Sequence, residues 1–542
     1  MPSSSESLSA ASAVRDRLRR AVDAALEAGR KKTDKGAAID EHQPETERLA
    51  YLATEAAAVD ALLEYAKAAG SNDLFAGESA AIFTAMVASR ARSLAAEHAL
   101  GVPDGLLAET LDSAELRDFL RAGLEDARIV ELGRRVVEGR GTPDSWLEAE
   151  EHRMTREAVR SFAQTEVAPH AQELHLKDDL VSDAVISKMG ELGFFGLAVP
   201  EAYGGQGMGN LAMILTTEEL SAASLAGAGS LITRPEILTK ALLAGGTDDQ
   251  KQEWLPKIAA GEIMVAISVT EPDTGSDVAS VKVRAEKGEQ DGKSGYFLSG
   301  AKAWCTFAGR ANVIAMLART DPDPKKGGRG LSLFIVPKDP FPGHSFLMKQ
   351  PGGGTIEGKA DRTPGYRGMH SYTMGIERYF VPEENRVGEE GRGFYLQMNG
   401  FAAGRLQTGG RATGLSQAAL EAAAIYASER SQFGRPIGDY GLTRYKLGRM
   451  AVELAAARQL TYHAARIFDV DEGRALEPAM AKLFACDVAV RTTQEAQLLH
   501  GGWGFAEEFP VCRYAIDALV LPIFEGVKPI LELKVIGRSL LS

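Results

Sequence analysis

Near the end of this 542-residue chain, the stretch ALVLPIFEGVKPILELKVIGRSLLS sets one carboxylate, Glu525, after an apolar run from Ala518 to Phe524 that only Pro522 interrupts. Taking a carboxylate out of water disfavours its charged form, so an acid there is paired, caps a helix or works as a base. Position alone favours a cap. What reads as a closing helix follows Gly526, and its first N–H groups need an acceptor. Two other stretches carry residues suited to a ligand. In ISVTEPDTGSDVASV (267–281) a strand ends at Thr270 and small and hydroxyl residues follow, Ser276 among them, so that backbone N–H groups can approach a ligand closely. GAKAWCTFAG (300–309) offers the flat face of Trp304 and, on the same side of a strand, the hydroxyl of Thr306. Ring plus hydroxyl suits a planar heterocycle, although a Trp in a β core is the commoner arrangement.

The elements that must position these residues come in blocks. Residues 1 to about 145 are Ala-rich with apolar stripes of helical period, as in TERLAYLATEAAAVDALLEYAKAAG and GESAAIFTAMVASRARSLAAEHALG, each stopping at Gly. EGRGTPDSW (138–146) reads as a boundary. Helical spacing continues from 147 to 262. Alternation, β-branched residues and Gly or Asp turns then mark antiparallel strands to about 385, and long helices return at 392–429, 443–468 and 475–500. The helix pair near 45–70 and 77–99 echoes the pair at 443–468 and 475–500 in length and Ala-rich patterning.

With 45% hydrophobic and 25% charged residues the composition is that of a soluble globular protein, and the length asks for two to four domains. A net charge of −13 with no long basic run argues against a nucleic-acid partner. The three cysteines, Cys305, Cys486 and Cys512, are scattered and form no metal-binding pattern, so no metal site is expected. No stretch has the length of a membrane span, and MPSSSESLSAASAVRDRLRR lacks the apolar core of a secretion signal. Asp16, Asp23 and Glu27 argue against a transit peptide, so the expectation is a cytoplasmic protein without membrane association.

TEPDTGSD and AWCT resemble the TEPxxGSD and W-x-T motifs of the acyl-CoA dehydrogenase family. ERSQFGRPIGDY (429–440) is similar to its R-x-Q-F-G segment, QLLHGGWGF (497–505) to its Q-x-x-G-G-x-G-[FY] segment, and FEG to its base-bearing EG. Order and spacing hold across roughly 147–542. The resemblance implies an α+β multidomain fold: an N-terminal extension (1–145), an α-helical domain (146–262), a middle antiparallel β-barrel-like domain (263–388) and a C-terminal four-helix bundle (389–542). It implies FAD as cofactor and an acyl-CoA thioester as substrate, with electron-transferring flavoprotein as the usual electron acceptor. Thr270 and Ser276 would meet the flavin ring and thioester region, Trp304 would pack on the ring, and Thr306 would lie near N5. Arg430, Gln432 and Phe433 would hold the FAD of a partner subunit, while Gln497, Gly501 and Gly502 would lie along its ADP portion. Arg405, in FAAGRLQTGG, matches a position near the acyl-CoA chain.

By the same resemblance Glu525 is the base that removes the α-proton, flavin N5 takes the β-hydride, and the backbone beside Gly526 serves the thioester oxygen. A subgroup of the family carries its base just before the position of Arg405; here that position is Gly404, which leaves Glu525 without a competitor. The pattern departs at Val527, Pro529 and Phe307. The long extension, FEGVKPILELKVIGRSLL and the Gly-rich insert KQPGGGTIEGKADRTPGYRGMHSY look most like members acting on a short branched dicarboxylic acyl-CoA. Other short-chain acyl-CoA dehydrogenases and the acyl-CoA oxidases are the alternatives. A distal carboxylate needs a cation, preferably a bidentate Arg. Arg234 in LITRPEIL and Arg411, on the helix of Arg405, are the candidates; Arg367 in GYRG is less diagnostic, and the bland alternative for each is a salt bridge. Family members are mostly dimers of dimers joined through their C-terminal helices. If residues 45–99 imitate such a helix pair they cover that face in cis, and a homodimer is favoured over a tetramer.

Overall fold

In a computed structural model the protein is described at residues 4–97, 99–100 and 110–542. Gly101, read above as the stop of the second extension helix, lies outside the described residues. The chain divides into two compact units: 1–154 with 408–470 and 474–542, and 155–407 with 471–473.

The first unit is helical. The extension supplies Ser4–Lys32, Gln43–Ala69, Leu74–Ala96, Ala114–Gly123 and Asp126–Glu138. The C-terminal part supplies the helix Gly393–Glu429 from Thr408 onward, then Gly441–Val470, Leu476–Leu499, Pro510–Ala518 and a closing segment from Lys528 to Leu541. The long helices fall where the period predicts them. Extension and C-terminal helices share one core. The rings of Phe83 and Phe484 lie 5.6 Å apart, a contact worth about 0.5–1.5 kcal/mol beyond the area it buries. Small residues let backbones touch: a Cβ on Gly133 would stand 1.7 Å from the carbonyl oxygen of Arg444, and one on Gly448 2.3 Å from that of Ile129. The helices Asp126–Glu138 and Gly441–Val470 therefore cross at a spacing that no larger residue permits at these two points.

The second unit joins helices to a sheet whose strands follow one path: Ser345–Lys349, Thr355–Ala360, Ser371–Pro382, Lys293–Thr306, Arg284–Gln290, Val313–Arg319, Leu331–Pro337 and Arg386–Val387. Asp291 and Gly292, at φ 54° and 75°, make the tight turn between Arg284–Gln290 and Lys293–Thr306. Most pairings are antiparallel, as expected. Val265–Ser268 differs, pairing in parallel with Val313–Arg319. Leu238, Leu242, Leu255 and Ile258 of the helices Thr233–Gly245 and Asp248–Ala259 bury themselves on Val265, Val313, Leu333 and Ile335, each side chain contributing about 1.5–3 kcal/mol. Among the described residues no helix is long and apolar enough to cross a membrane.

Candidate active site

In the second unit the two ligand-suited stretches adjoin. The N–H of Ala303 donates to the carbonyl of Thr270 at 2.9 Å. Glu271, one residue on, organises the loop: its carboxylate accepts from the N–H groups of Lys282 and Val283, both at 2.8 Å, and its backbone pairs with that of Thr274. Lys302, wholly buried, donates to the carbonyl of Val269 at 2.8 Å and to Glu271 Oε1 at 3.2 Å. Burial pulls the Lys302 ammonium down to about 8 and the Glu271 charge opposes that fall. Neither residue was singled out in the sequence, although a lone Lys between alanines in a strand, with a Glu in the preceding motif, is the signal that marks such a pair.

Strict alternation fails at Trp304. The register against Ser371–Pro382 shifts between Lys302 and Cys305, and Trp304 sits in that bulge at φ 56°. Placing Trp304 and Thr306 on one face by simple two-residue spacing is thus corrected. The bulge turns the indole outward, 59% exposed, whereas Thr306 is buried with its Oγ1 2.9 Å from Ser371 Oγ. Ser276 lies exposed in the loop. A left-handed, solvent-facing Trp beside an open hydroxyl loop has the form of a platform for a flat ring.

The candidate arginines take different environments. Arg234 is buried on Thr233–Gly245, and its Nη1 donates to Ser230 O at 3.2 Å and Tyr366 Oη at 3.1 Å. Burial drives the thiol of Cys305, in the Trp304 strand, up to about 12, and the charge of Arg234 is among those opposing it. Arg405 lies on Gly393–Glu429, two residues before Gln407, whose amide oxygen accepts from Thr217 and Thr233 at 3.2 Å each and whose amide NH2 donates to Glu236. The elements bearing Arg234 and Arg405 are fastened together by that amide. Arg367 donates to His175 O at 3.0 Å and lies 3.4 Å from Asp178, the salt-bridged arrangement weighed above as the alternative. Arg411, in the first unit, is fully buried with its guanidinium 4.5 Å from the centroid of the Phe524 ring and bonded to Thr408.

Glu525 does not cap the closing helix. That helix begins at Lys528, and its N-cap residue, Val527, makes no side-chain cap hydrogen bond. Instead Glu525 is half-buried in left-handed backbone at φ 54°, followed by Gly526 at φ 101°. A non-glycine residue held there costs about 1–2 kcal/mol and persists only where its surroundings over-determine it. The helix Leu476–Leu499 supplies the constraint: Lys482 donates to Gly526 O and Cys486 Sγ lies 3.4 Å from Leu521 O. In the same unit Arg430, Gln432 and Phe433 form an exposed hairpin, with Phe433 95% exposed at its tip. Gln497 lies in the last turn of the helix that leads into Gly501 and Gly502, both exposed, with nothing within 4 Å of where a Cβ would stand.

These features fit FAD: an outward indole for the ring, bare glycines where a ligand backbone can approach, and an aromatic hairpin tip projecting from the fold. Among the described residues one group is dense enough for a metal ion, Asp178 with His344 and His370, but the Arg367 guanidinium already sits on that carboxylate.

Comparison with known proteins decides the family. Residues 149–262, 266–378 and 391–541 match the N-terminal, middle and C-terminal domains of acyl-CoA dehydrogenases. The (2S)-methylsuccinyl-CoA dehydrogenase of Cereibacter sphaeroides is 42% identical over 77% of this chain and 74% of its own length. The chain belongs to the acyl-CoA dehydrogenase family. An acyl-CoA dehydrogenase of Bacillus subtilis is 37% identical over 72% of this chain and 98% of its own. The structure of butyryl-CoA dehydrogenase from Megasphaera elsdenii, 30% identical, aligns with a TM-score of 0.67 over 74% of this chain and all of that one. A glutaryl-coenzyme A dehydrogenase in complex with glutaryl-CoA, also 30% identical, aligns at 0.66 over 72% of this chain and 95% of that chain. The protein is an FAD-dependent acyl-CoA dehydrogenase of the expected fold: helical, β and helical domains, with the extension in front.

Proposed function

We propose that this enzyme oxidises a short branched dicarboxylic acyl-CoA, (2S)-methylsuccinyl-CoA to mesaconyl-CoA, as a step of acetate assimilation through the ethylmalonyl-CoA pathway. The 42% identity to (2S)-methylsuccinyl-CoA dehydrogenase over 77% of the chain carries this choice among acyl groups. The buried guanidinium of Arg234, bonded to Tyr366 Oη, supports it as a fixed cation for the distal carboxylate. Arg405 lies along the acyl-CoA chain. Arg411, seated on the Phe524 ring, acts on the substrate's surroundings through the wall beside Glu525.

Glu525 takes the α-proton of the thioester. Its half-buried, left-handed position limits the carboxylate's freedom of movement and so helps to aim it. The backbone N–H of Glu525, with Gly526 leaving the turn uncrowded, donates to the thioester oxygen as negative charge develops there. Bound FAD supplies the acceptor for the β-hydride. Trp304, Thr306, Thr270 and Ser276 hold the flavin ring, Gln497, Gly501 and Gly502 line its ADP portion, and Arg430, Gln432 and Phe433 reach the FAD of a partner subunit. Electron-transferring flavoprotein takes the electrons onward. The extension covers the C-terminal helices in cis and leaves a homodimer, a reading that the Phe83–Phe484 contact supports. A tetramer in light scattering would contradict the homodimer. All three cysteines are buried and free, in keeping with a cytoplasmic location.

The test is a panel of CoA thioesters (methylsuccinyl, succinyl, glutaryl, butyryl, isobutyryl) followed by flavin bleaching without oxygen. Methylsuccinyl-CoA bleaches fastest if the reading is right. Arg234→Ala raises KM for methylsuccinyl-CoA by roughly 10- to 100-fold, the worth of a hydrogen bond between charged groups, and barely alters butyryl-CoA. Equal effects on both would remove Arg234 from the pocket, and peroxide formation in air matching the anaerobic rate would make the protein an oxidase.

A further inference from the structure

The extension has no counterpart in the motifs that define the site, yet it touches the turn that carries Glu525. Tyr51, on Gln43–Ala69 and 5% exposed, donates its hydroxyl to Asp487 Oδ2 at 2.9 Å. The same oxygen accepts from Lys528 Nζ at 2.6 Å. That ammonium also lies 5.1 Å from the centroid of the Tyr51 ring. The backbone N–H of Lys528 donates to Pro522 O at 2.9 Å and so closes the loop that contains Glu525. A continuous chain of polar contacts, Tyr51 to Asp487 to Lys528, therefore runs from the extension to the base of the catalytic turn.

We infer that Tyr51 is a positioning residue for Glu525, and that the extension acts as a buttress of the dehydrogenation site. The inference rests on the reading of Glu525 as the base. A turn with successive left-handed residues, Glu525 at φ 54° and Gly526 at φ 101°, relaxes unless held. Leu476–Leu499 holds it through Lys482, Cys486 and Asp487, and the extension in turn braces that helix through Phe83 and Tyr51. Burial, with the Asp487 charge second, raises the Tyr51 hydroxyl far above its ordinary value, so it stays a donor at every working pH. Other charges facing this cluster are Arg491 and Glu55, both of which act on the Tyr51 hydroxyl, Arg90, whose guanidinium lies 4.6 Å from the Tyr51 ring centroid, and Glu532, 3.8 Å from Lys528.

The test uses full-length holoenzyme. Tyr51→Phe keeps the ring and removes only the hydroxyl. It retains FAD and binds substrate within about twofold of the parent, but its anaerobic flavin reduction at saturating substrate slows about tenfold, because small misplacements of a reacting group are costly. Lys528→Met slows it similarly and Lys528→Arg restores most of the rate. The double variant Tyr51→Phe/Lys528→Met is no slower than the worse single, since both act through Asp487. Flavin reduction at the parental rate in Tyr51→Phe, or a double variant whose losses multiply, overturns the inference. Glu525→Gln run in parallel separates the two readings. If it is inert while Tyr51→Phe is normal, only the buttress fails. If Glu525→Gln itself reduces flavin normally, both fail.

Discussion

The Trp304 segment and the Glu525 turn solve the same conformational problem by different means. Each fixes a large residue in left-handed backbone, at φ 56° and φ 54°. At Trp304 the support is nearby: a strand bulge, with the neighbouring Lys302 buried against Glu271 of the adjoining motif. At Glu525 the support comes from Leu476–Leu499 and, through Asp487, from Tyr51, 474 positions earlier in the sequence. In the proposed roles, the cofactor platform is built from two consecutive motifs, whereas the base draws on a second layer of structure.

If the Trp304 segment depends on its buried ion pair, Lys302→Met gives the largest loss. It leaves the Glu271 carboxylate buried without its cation, a change of about 3–5 kcal/mol in chemical denaturation with loss of bound FAD. Unaltered stability would show that backbone donors alone hold the loop. At the other turn, Gly526→Ala forces a side chain into φ 101° and costs about 1–2 kcal/mol, with slower flavin reduction at unchanged FAD content. Trp304→Ala weakens FAD retention by about 0.5–1.5 kcal/mol and Trp304→Phe restores most of it; equal retention in all three would make the indole a surface residue.

The smallest effect separates extension docking from the site. Burial raises the carboxyl of Glu55 to about 7, with Arg90 and Arg491 opposing and Glu453 reinforcing the rise. A carboxyl whose folded value exceeds its unfolded one binds a proton on folding. Its contribution is complete below about 4.5 and is lost as pH rises through about 7. Thermal unfolding of Glu55→Gln therefore depends less on pH across that window than unfolding of the parent does. Parallel profiles would show that Glu55 stays charged beside Arg90.

Part of the local structure around the candidate site was legible in short stretches of sequence. Strand ends and a hydroxyl loop singled out Thr270, Trp304 and Thr306 as candidates, and the long C-terminal helices follow from their period. The Trp304 bulge was not legible, since period-two alternation carries no mark of one extra residue. The capping role considered for Glu525 rested on position in sequence, and the structure starts the helix too late for it, at Lys528. The parallel pairing of Val265–Ser268, the Lys302–Glu271 pair and the Tyr51–Asp487–Lys528 chain join residues far apart in sequence. Each lone residue there reads as ordinary until its partner is placed beside it.

The most direct measurement is stopped-flow reduction of the bound flavin by acyl-CoA, without oxygen, in Glu525→Gln enzyme carrying its full complement of FAD. Loss of the base predicts a rate lower by about 10²–10⁴-fold, with substrate still bound. Reduction at the parental rate would contradict the assignment of Glu525 as the group that takes the α-proton.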